Sequence, residues 1–355
     1  MHKTLDAEIA PGMSAHDALR ELCYADALFR ERYEGWRVLG RGPWATVVRV
    51  RSKDLGHDIA LKVFVNIDPE LLARVRQEVR AVQALATPYL VQTYSLFDRG
   101  AVAWFEMELV EGSNLRQELH RLAESGSRFA PIRSYEIALA VARCLWHAHR
   151  RGVLHRDIKP ANVLLPSSGQ PAAKLGDFGI ARLSDVASST PRDVVMGTPR
   201  FASPEALAGE QVGPPHDVYG LGVTLYALLT GGRAPHELTG SETLAALRRL
   251  QTTTQPPSIG ARVADIDRDV DSVVMRALAL NPVDRPSPEG VVRALERAQV
   301  RAAAAARRRG EGAEVTVSAW RIALAGLGLA ALGLWARLRT RDNGDEDADD
   351  GPLPS

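Results

Sequence analysis

The chain has 355 residues, 45% hydrophobic and 25% charged, which is globular composition with room for two or three domains and none of the bias of disorder or collagen. A formal net charge of +1 gives no whole-chain case for nucleic-acid binding. Two cysteines, Cys23 and Cys144, lie far apart without metal-ligand spacing, which excludes a disulfide framework or a cysteine-built zinc site and fits a reducing cytoplasm.

In chain order, Met1–Ala10 lacks the apolar core of a signal peptide, and residues 1–13 are expected to be disordered. Ser14 and Asp17 open an amphipathic helix over Ala15–Tyr33, with Leu19, Leu22, Cys23 and Phe29 near helical spacing. Strands are expected at Trp36–Leu39, Thr46–Val50 and Ile59–Val65, separated by glycine turns. Asp68-Pro69 reads as the N-cap and first-turn proline of a helix running to about Leu85. Two further strands lie near Val91–Phe97 and Ala103–Val110, and the pattern turns helical after Gly112. Ser134–Arg151 is a long helix, polar loops fill 152–216, and helices return at about 217–229, 241–250, 267–279 and 288–309. Strands first and helices later predict an α+β chain of two lobes with a crevice between them. There are no internal repeats.

Several segments carry chemistry. Gly40-Arg41-Gly42-Pro43-Trp44-Ala45-Thr46-Val47 joins two expected strands. It reads either as a plain hairpin or as a turn whose backbone N–H groups approach phosphate, and it lacks the GxxxxGK(S/T) pattern. In the third strand Ile59, Leu61, Val63 and Val65 share one face and Ala60, Lys62 and Phe64 the other. A lysine inside an apolar strand needs an anion, and Glu78 lies at the edge of the stripe Leu71, Val75, Val79, Val82. The alternative is a snorkelling Lys62 and a solvated Glu78. Of the 44 basic residues 39 are arginine, so each lysine (Lys3, Lys53, Lys62, Lys159, Lys174) raises the question of why a compact ammonium was kept. His147 and His149, two apart on a helix, do not share a face and make no metal pair.

His155-Arg156-Asp157-Ile158-Lys159-Pro160-Ala161-Asn162 is followed by Asp177-Phe178-Gly179. Together with the glycine loop, Ala60-x-Lys62, a helix Glu78, Gly197-Thr198-Pro199 through Ser203-Pro204-Glu205, Asp217-Val218-Tyr219-Gly220 and Asp284-Arg285-Pro286-Ser287, it resembles the eukaryotic-type protein kinases in their bacterial serine/threonine branch. The resemblance covers about residues 33–300. It implies a two-lobed kinase fold, with a small lobe at 33–110, a helical lobe at 111–300 and an extension at 1–32.

The resemblance also implies roles, within a chemistry that asks the protein for positioning and charge neutralisation. Lys62 would hold the α- and β-phosphates of ATP, and Glu78 would fix Lys62 by an ion pair. Asp157 would take the proton of the attacking hydroxyl and Lys159 would steady the transferring group. Asn162 and Asp177 would ligate Mg²⁺, with Mn²⁺ as a substitute. Gly40, Gly42, Val47, Ala60, Met107, Glu108 and Val110 would line the nucleotide site, Met107 guarding a rear pocket, and Ser113 or Asn114 would reach the ribose. Thr198 would bond the Asp157/Lys159 pair and shape the acceptor site for protein serine or threonine. Arg156 would pair with a phosphate on the loop at 184–198, at Thr190 or Ser189 before Ser184 or Ser188. Glu205 and Arg285 would form a buried ion pair. Ala45 in place of the third glycine and the Pro43-Trp44 tip depart from the family pattern, and they leave open a pseudokinase, a scaffold that binds ATP without efficient transfer.

The tail reads differently. Residues 301–314 are a basic linker, 315–338 an apolar transmembrane helix around Ile322–Ala336 with Trp320 and Trp335 as interface anchors, and 339–355 an acidic disordered tail. This reading gives a single-pass protein with its catalytic lobes in the cytoplasm and Gly326-x-x-x-Ala330 as a homodimer contact; the alternative is an apolar helix packed on the catalytic lobes or on a partner.

Overall fold

A computed structural model describes residues 20, 26–42, 45–65, 69–99, 102–178, 199–237 and 244–309. Residues 1–13, most of the helix expected at 15–33, Pro43-Trp44, the loop serines and Thr190, Thr198 and everything from 310 onward lie outside these. Among the described residues no helix is long and apolar enough to cross a membrane; the segment expected to do so, 315–338, is outside them.

The first lobe is one antiparallel sheet. A short helix α1 (Ala27–Arg32) leads into β1 (Tyr33–Arg41), β2 (Ala45–Ser52), β3 (Asp58–Val65), β4 (Thr93–Arg99) and β5 (Val102–Met107), arranged β1-β2-β3-β5-β4. Helix α2 (Pro69–Gln83) connects β3 to β4 in sequence. Alternation along β3 divides the apolar residues between two cores. Ile59, Leu61 and Val63 pack with Val48, Val50, Val102 and Trp104, whereas Phe64 packs with Val75, Val79, Ala103 and Phe105.

Phe29 of α1 belongs to the first of these cores and is 2% exposed. Asp26 caps α1 by accepting from Phe29 N at 2.7 Å. Tyr33 then donates to Glu106 Oε1 at 2.7 Å and accepts from Trp104 Nε1 at 3.2 Å, so this buried acid has partners. Burial and the neighbouring Glu106 carboxylate both push the Tyr33 phenol well up. The extension before residue 33 therefore contributes to the sheet's core.

The second lobe is helical. A small sheet β6 (Gly112–Asn114), β7 (Val163–Pro166) and β8 (Lys174–Leu175) lies beside α3 (Leu115–Glu124) and α4 (Pro131–His149). Helices α5 (Pro204–Leu207), α6 (Pro214–Leu229), α7 (Leu244–Thr253), α8 (Arg268–Ala277) and α9 (Pro288–Arg308) follow. Both lobes belong to one compact unit ending at Gln299. Helix α6 is buried along almost its whole length. Its glycines have steric reasons: a Cβ on Gly222 would come within 2.9 Å of Ala277 Cβ, and one on Gly220 within 3.1 Å of Ile158 O. Close approach of α6 to the segment after His155 is thus written into one missing side chain, and its approach to α8 into the other.

Candidate active site

Strand register brings the glycine turn to Lys62. Gly40 pairs with Val47 across β1 and β2, and Val47 pairs with Lys62 across β2 and β3. Gly42 N donates to Ala45 O at 2.8 Å. On the other side of β3, Ala60 faces Met107 and Lys62 faces Phe105. Beyond Met107 the chain passes through half-buried Glu108 and Val110 to the second lobe. A cavity beside Met107 is lined by Val75, Glu78, Val79, Phe105, Asp177 and Phe178 together with Met107 itself.

Lys62 is 8% exposed, and its Nζ donates to Asp177 Oδ1 at 2.8 Å. The expected partner was Glu78, which instead lies 3.4 Å from Arg156 Nη1. Two cations and two carboxylates share this cleft, and either pairing neutralises all four. The structure adopts the crossed one, so the expected Lys62–Glu78 pair is corrected to Lys62–Asp177 and Arg156–Glu78. Desolvation pushes the Asp177 carboxyl up, but the charge and hydrogen bond of Lys62 outweigh it and hold the group below its ordinary range.

The segment from His155 to Asn162 is held from below. Asp217, at the start of α6 and 1% exposed, accepts from His155 N at 2.8 Å, Arg156 N at 2.6 Å and His149 Nε2 at 2.8 Å. Burial raises its carboxyl, yet the His149 bond and the backbone donors win, and the group stays ionised below the usual carboxylate range. His155 is fully buried, donates from Nε2 to Gly176 O at 2.8 Å and accepts at Nδ1 from Asp157 N at 3.2 Å. Those two bonds define a neutral imidazole, and desolvation depresses its basicity accordingly. Its ring lies 4.4 Å from that of Phe178. Arg156 and Asp177 have φ of +65° and +60°, left-handed backbone that costs a non-glycine residue on the order of 1–3 kcal/mol.

Asp157, Lys159 and Asn162 form one cluster. Lys159 Nζ donates to Asp157 Oδ2 at 2.6 Å, and Asn162 Nδ2 donates to Asp157 O at 2.8 Å and Oδ2 at 3.1 Å. Both amide hydrogens of Asn162 are then used, which leaves Oδ1 as the atom available to a cation. Gly176 N donates to Asn162 O at 2.9 Å, tying Asn162 to the residue before Asp177. An amide oxygen and an ionised carboxylate suit a hard divalent cation that brings further oxygens with it. Among the described residues no group of three or more His, Cys, Asp or Glu builds a metal centre of its own.

Glu205 and Arg285 form the expected buried pair. Arg285 Nη1 and Nη2 reach the two carboxylate oxygens at 2.6 and 2.8 Å, and its remaining N–H groups donate to Ala279 O, Pro215 O and Leu280 O. Ser113 donates to Glu118, and Asn114 caps α3 with Gln117, so neither side chain is placed here at a ribose. Sequence reasoning gave no role to Asp217 or His149. The available signal was an acid opening an otherwise apolar helix.

The chain matches the family described as "Protein kinase domain" over residues 33–295. It is 36% identical over 260 residues to the probable serine/threonine-protein kinase SCO3848 of Streptomyces coelicolor, covering 71% of this chain and 37% of that protein. It is 36% identical over 273 residues to the serine/threonine-protein kinase PknB of Mycolicibacterium smegmatis, covering 74% of this chain and 42% of that protein. The chain thus spans about two fifths of the length of these curated relatives. Among solved structures, the PknI kinase domain of Mycobacterium tuberculosis superposes with a TM-score of 0.56 at 27% identity, covering 75% of this chain and 96% of that one.

Proposed function

The chain belongs to the protein kinase family, in its bacterial serine/threonine branch, and from that premise we propose that it transfers the γ-phosphoryl group of ATP to serine and threonine hydroxyls of proteins. The observation that carries the reading is the convergence of Lys62, Asp157, Lys159, Asn162 and Asp177 on one cleft through the bonds given above.

In this reading Asp157 orients the acceptor hydroxyl and takes its proton as the new oxygen–phosphorus bond forms and the bond to the β–γ bridging oxygen breaks. Lys159, already paired with Asp157, neutralises charge on the transferring group. The backbone of Glu108–Val110 meets the adenine edge, Ala60 and Val47 cover its faces, and Gly40 and Gly42 let the backbone approach the phosphates. Asn162 and Asp177 would hold Mg²⁺, or Mn²⁺ in its place, and the cation would supply neutralisation of phosphate charge. Asp177 would hold the cation with the carboxylate that Lys62 pairs with here, and Glu78 is the other carboxylate lining the same cleft. A phosphate on the loop at 184–198 would supply the competing anion for Arg156. Thr198 would shape the acceptor site, as the family resemblance implies.

The test is transfer of labelled phosphate from Mg·ATP to a serine- and threonine-containing protein by the full chain and by Asp157→Asn. Transfer by the first alone supports the reading, and equal labelling by both refutes it.

The segment 315–338 is the basis for the second part of the proposal, a single-pass anchor with the catalytic lobes on the cytoplasmic side and Gly326-x-x-x-Ala330 as a self-association face. Removing 311–355 should shift the protein from the membrane fraction to the soluble one. Unchanged partitioning would refute the anchor.

A further inference from the structure

Lys174 is one of five lysines in an arginine-rich chain, and the phosphoryl-transfer chemistry leaves it without a role. It opens β8, three residues before Asp177, and its Nζ donates to Glu108 Oε2 at 2.7 Å and toward Leu90 O at 3.4 Å. The lysine side chain is 12% exposed and the carboxylate 26%, so the pair is largely shielded from water, unlike ordinary surface pairs.

The intervening segment joins both ends of this pair by backbone. Glu108 N donates to Gln92 O at 2.8 Å, while Gln92 N donates to the Glu108 carboxylate at 3.3 Å. One residue back, Val91 N donates to Leu175 O at 3.0 Å, and Leu175 N donates to Tyr89 O at 2.7 Å. Glu108, residues 89–92 and β8 therefore form three layers, and Lys174 closes the outer two on each other. With its N–H engaged by Gln92, Glu108 has its carbonyl left to meet a ligand.

We propose that Lys174 is a positioning residue for the nucleotide: it fixes the Glu108 peptide, which meets the adenine edge, relative to the strand that ends at the cation-binding Asp177. This rests on the functional reading above. Base and phosphate ends of one ligand are held by Glu108 and Asp177, and the Lys174–Glu108 bond sets the span between them. A displacement of about 1 Å in such a span is enough to weaken binding of a rigidly recognised ligand. The effect falls on nucleotide affinity and leaves the Asp157 cluster untouched.

Four variants of the full chain test this. Lys174→Met should raise both the KM for ATP and the calorimetric Kd for Mg·ATP about tenfold, with kcat within about twofold. Lys174→Arg should recover most of the affinity. Glu108→Gln, which keeps an acceptor without the charge, should raise the same constants by a smaller factor. In the double variant Lys174→Met/Glu108→Gln the loss should not exceed that of Lys174→Met, because the two act through one contact. Wild-type ATP affinity in Lys174→Met and Glu108→Gln, a fall in kcat at unchanged KM, or additive losses would overturn the proposal. If Lys174→Met does not fold, Lys174→Arg and Glu108→Gln carry the same comparison. The binding arm also separates the two readings: a wild-type chain that binds Mg·ATP but transfers nothing defeats the proposed activity, while its Kd against the variants still decides the role of Lys174.

Discussion

Lys62 on β3 and Asp177, 115 residues later, form a 2.8 Å ion pair that joins the two lobes across the cleft. The pair occupies the carboxylate assigned to the cation, while Arg156 holds Glu78 at 3.4 Å. Turnover on the proposed route requires these four charges to exchange partners. Lys62→Met removes the cation that pairs with Asp177 in one arrangement and with Glu78 in the other, and should lower kcat/KM for ATP by about 10²–10³, the usual loss for an electrostatic donor at a reacting phosphate or oxyanion. Glu78→Gln should also slow transfer, since the second arrangement needs its charge. Steady-state kinetics of both variants check this, and wild-type turnover in Glu78→Gln would show that no exchange takes place.

Asp157 should behave differently. Its carboxylate already bonds Lys159 and Asn162, and an amide in its place keeps the shape but cannot take a proton. Asp157→Asn is expected to lower kcat by about 10²–10⁴ while calorimetry finds Mg·ATP bound as in the wild type. A loss of nucleotide affinity matching the loss of rate would assign Asp157 to binding.

The Glu205–Arg285 pair tests stability. The Arg285 side chain has no exposed surface, and every one of its N–H groups has an acceptor, so removing Glu205 leaves a buried charge without a counterion. Glu205→Ala should cost about 3–5 kcal/mol in a denaturant melt. Burial raises the Glu205 carboxyl, but the bonds from Arg285 prevail and its folded pKa lies below the unfolded one. Its contribution is therefore complete above the unfolded pKa, about 4.3 for glutamate, and fades as pH falls through the lower folded value. Asp217 adds a contribution of the same sign, from a carboxyl likewise held down. Wild-type melting temperature should fall on acidification below about pH 5, with a shallower fall in Glu205→Ala. Equal slopes would remove Glu205 from the acid response.

Helix α1 gives a prediction about the boundary of the folded unit. Phe29 packs against Tyr33 and Trp104 with ring centroids 4.7 and 5.5 Å away. Phe29→Ala should destabilise the chain by about 3–5 kcal/mol, the range for a large buried aromatic. A melt within 1 kcal/mol of wild type, measured to roughly that precision, would place α1 outside the cooperative unit.

Much of this was legible from the amino-acid order, for identifiable reasons. The β3 face assignment followed from a period of two, and the structure separates Ile59, Leu61 and Val63 from Phe64 as that period requires. Helices α2, α4, α6 and α9 were expected within a few residues of their observed bounds because each has an apolar stripe or a proline start. Strands β7 and β8 were expected as loop, because four and two residues are too few for alternation to register. The Glu205–Arg285 pair came from the family resemblance. The Lys62–Asp177 pairing did not, since spacing along the chain cannot choose between two acids that converge on one cation. Asp217 stood in a family motif but received no role, because that role is to accept backbone N–H groups of residues 155 and 156, and a backbone donor leaves no mark in composition.

The central claim is that these side chains act together as a phosphoryl-transfer site for serine and threonine. Incubating the purified full-length chain with Mg·ATP and mapping its phosphorylated residues by mass spectrometry, beside Asp157→Asn treated identically, tests it most directly. The account predicts phosphoserine or phosphothreonine within residues 184–198 of the wild type and none in the variant. Phosphate confined to tyrosine, the same sites in both proteins, or an unmodified wild type that still binds nucleotide would contradict it.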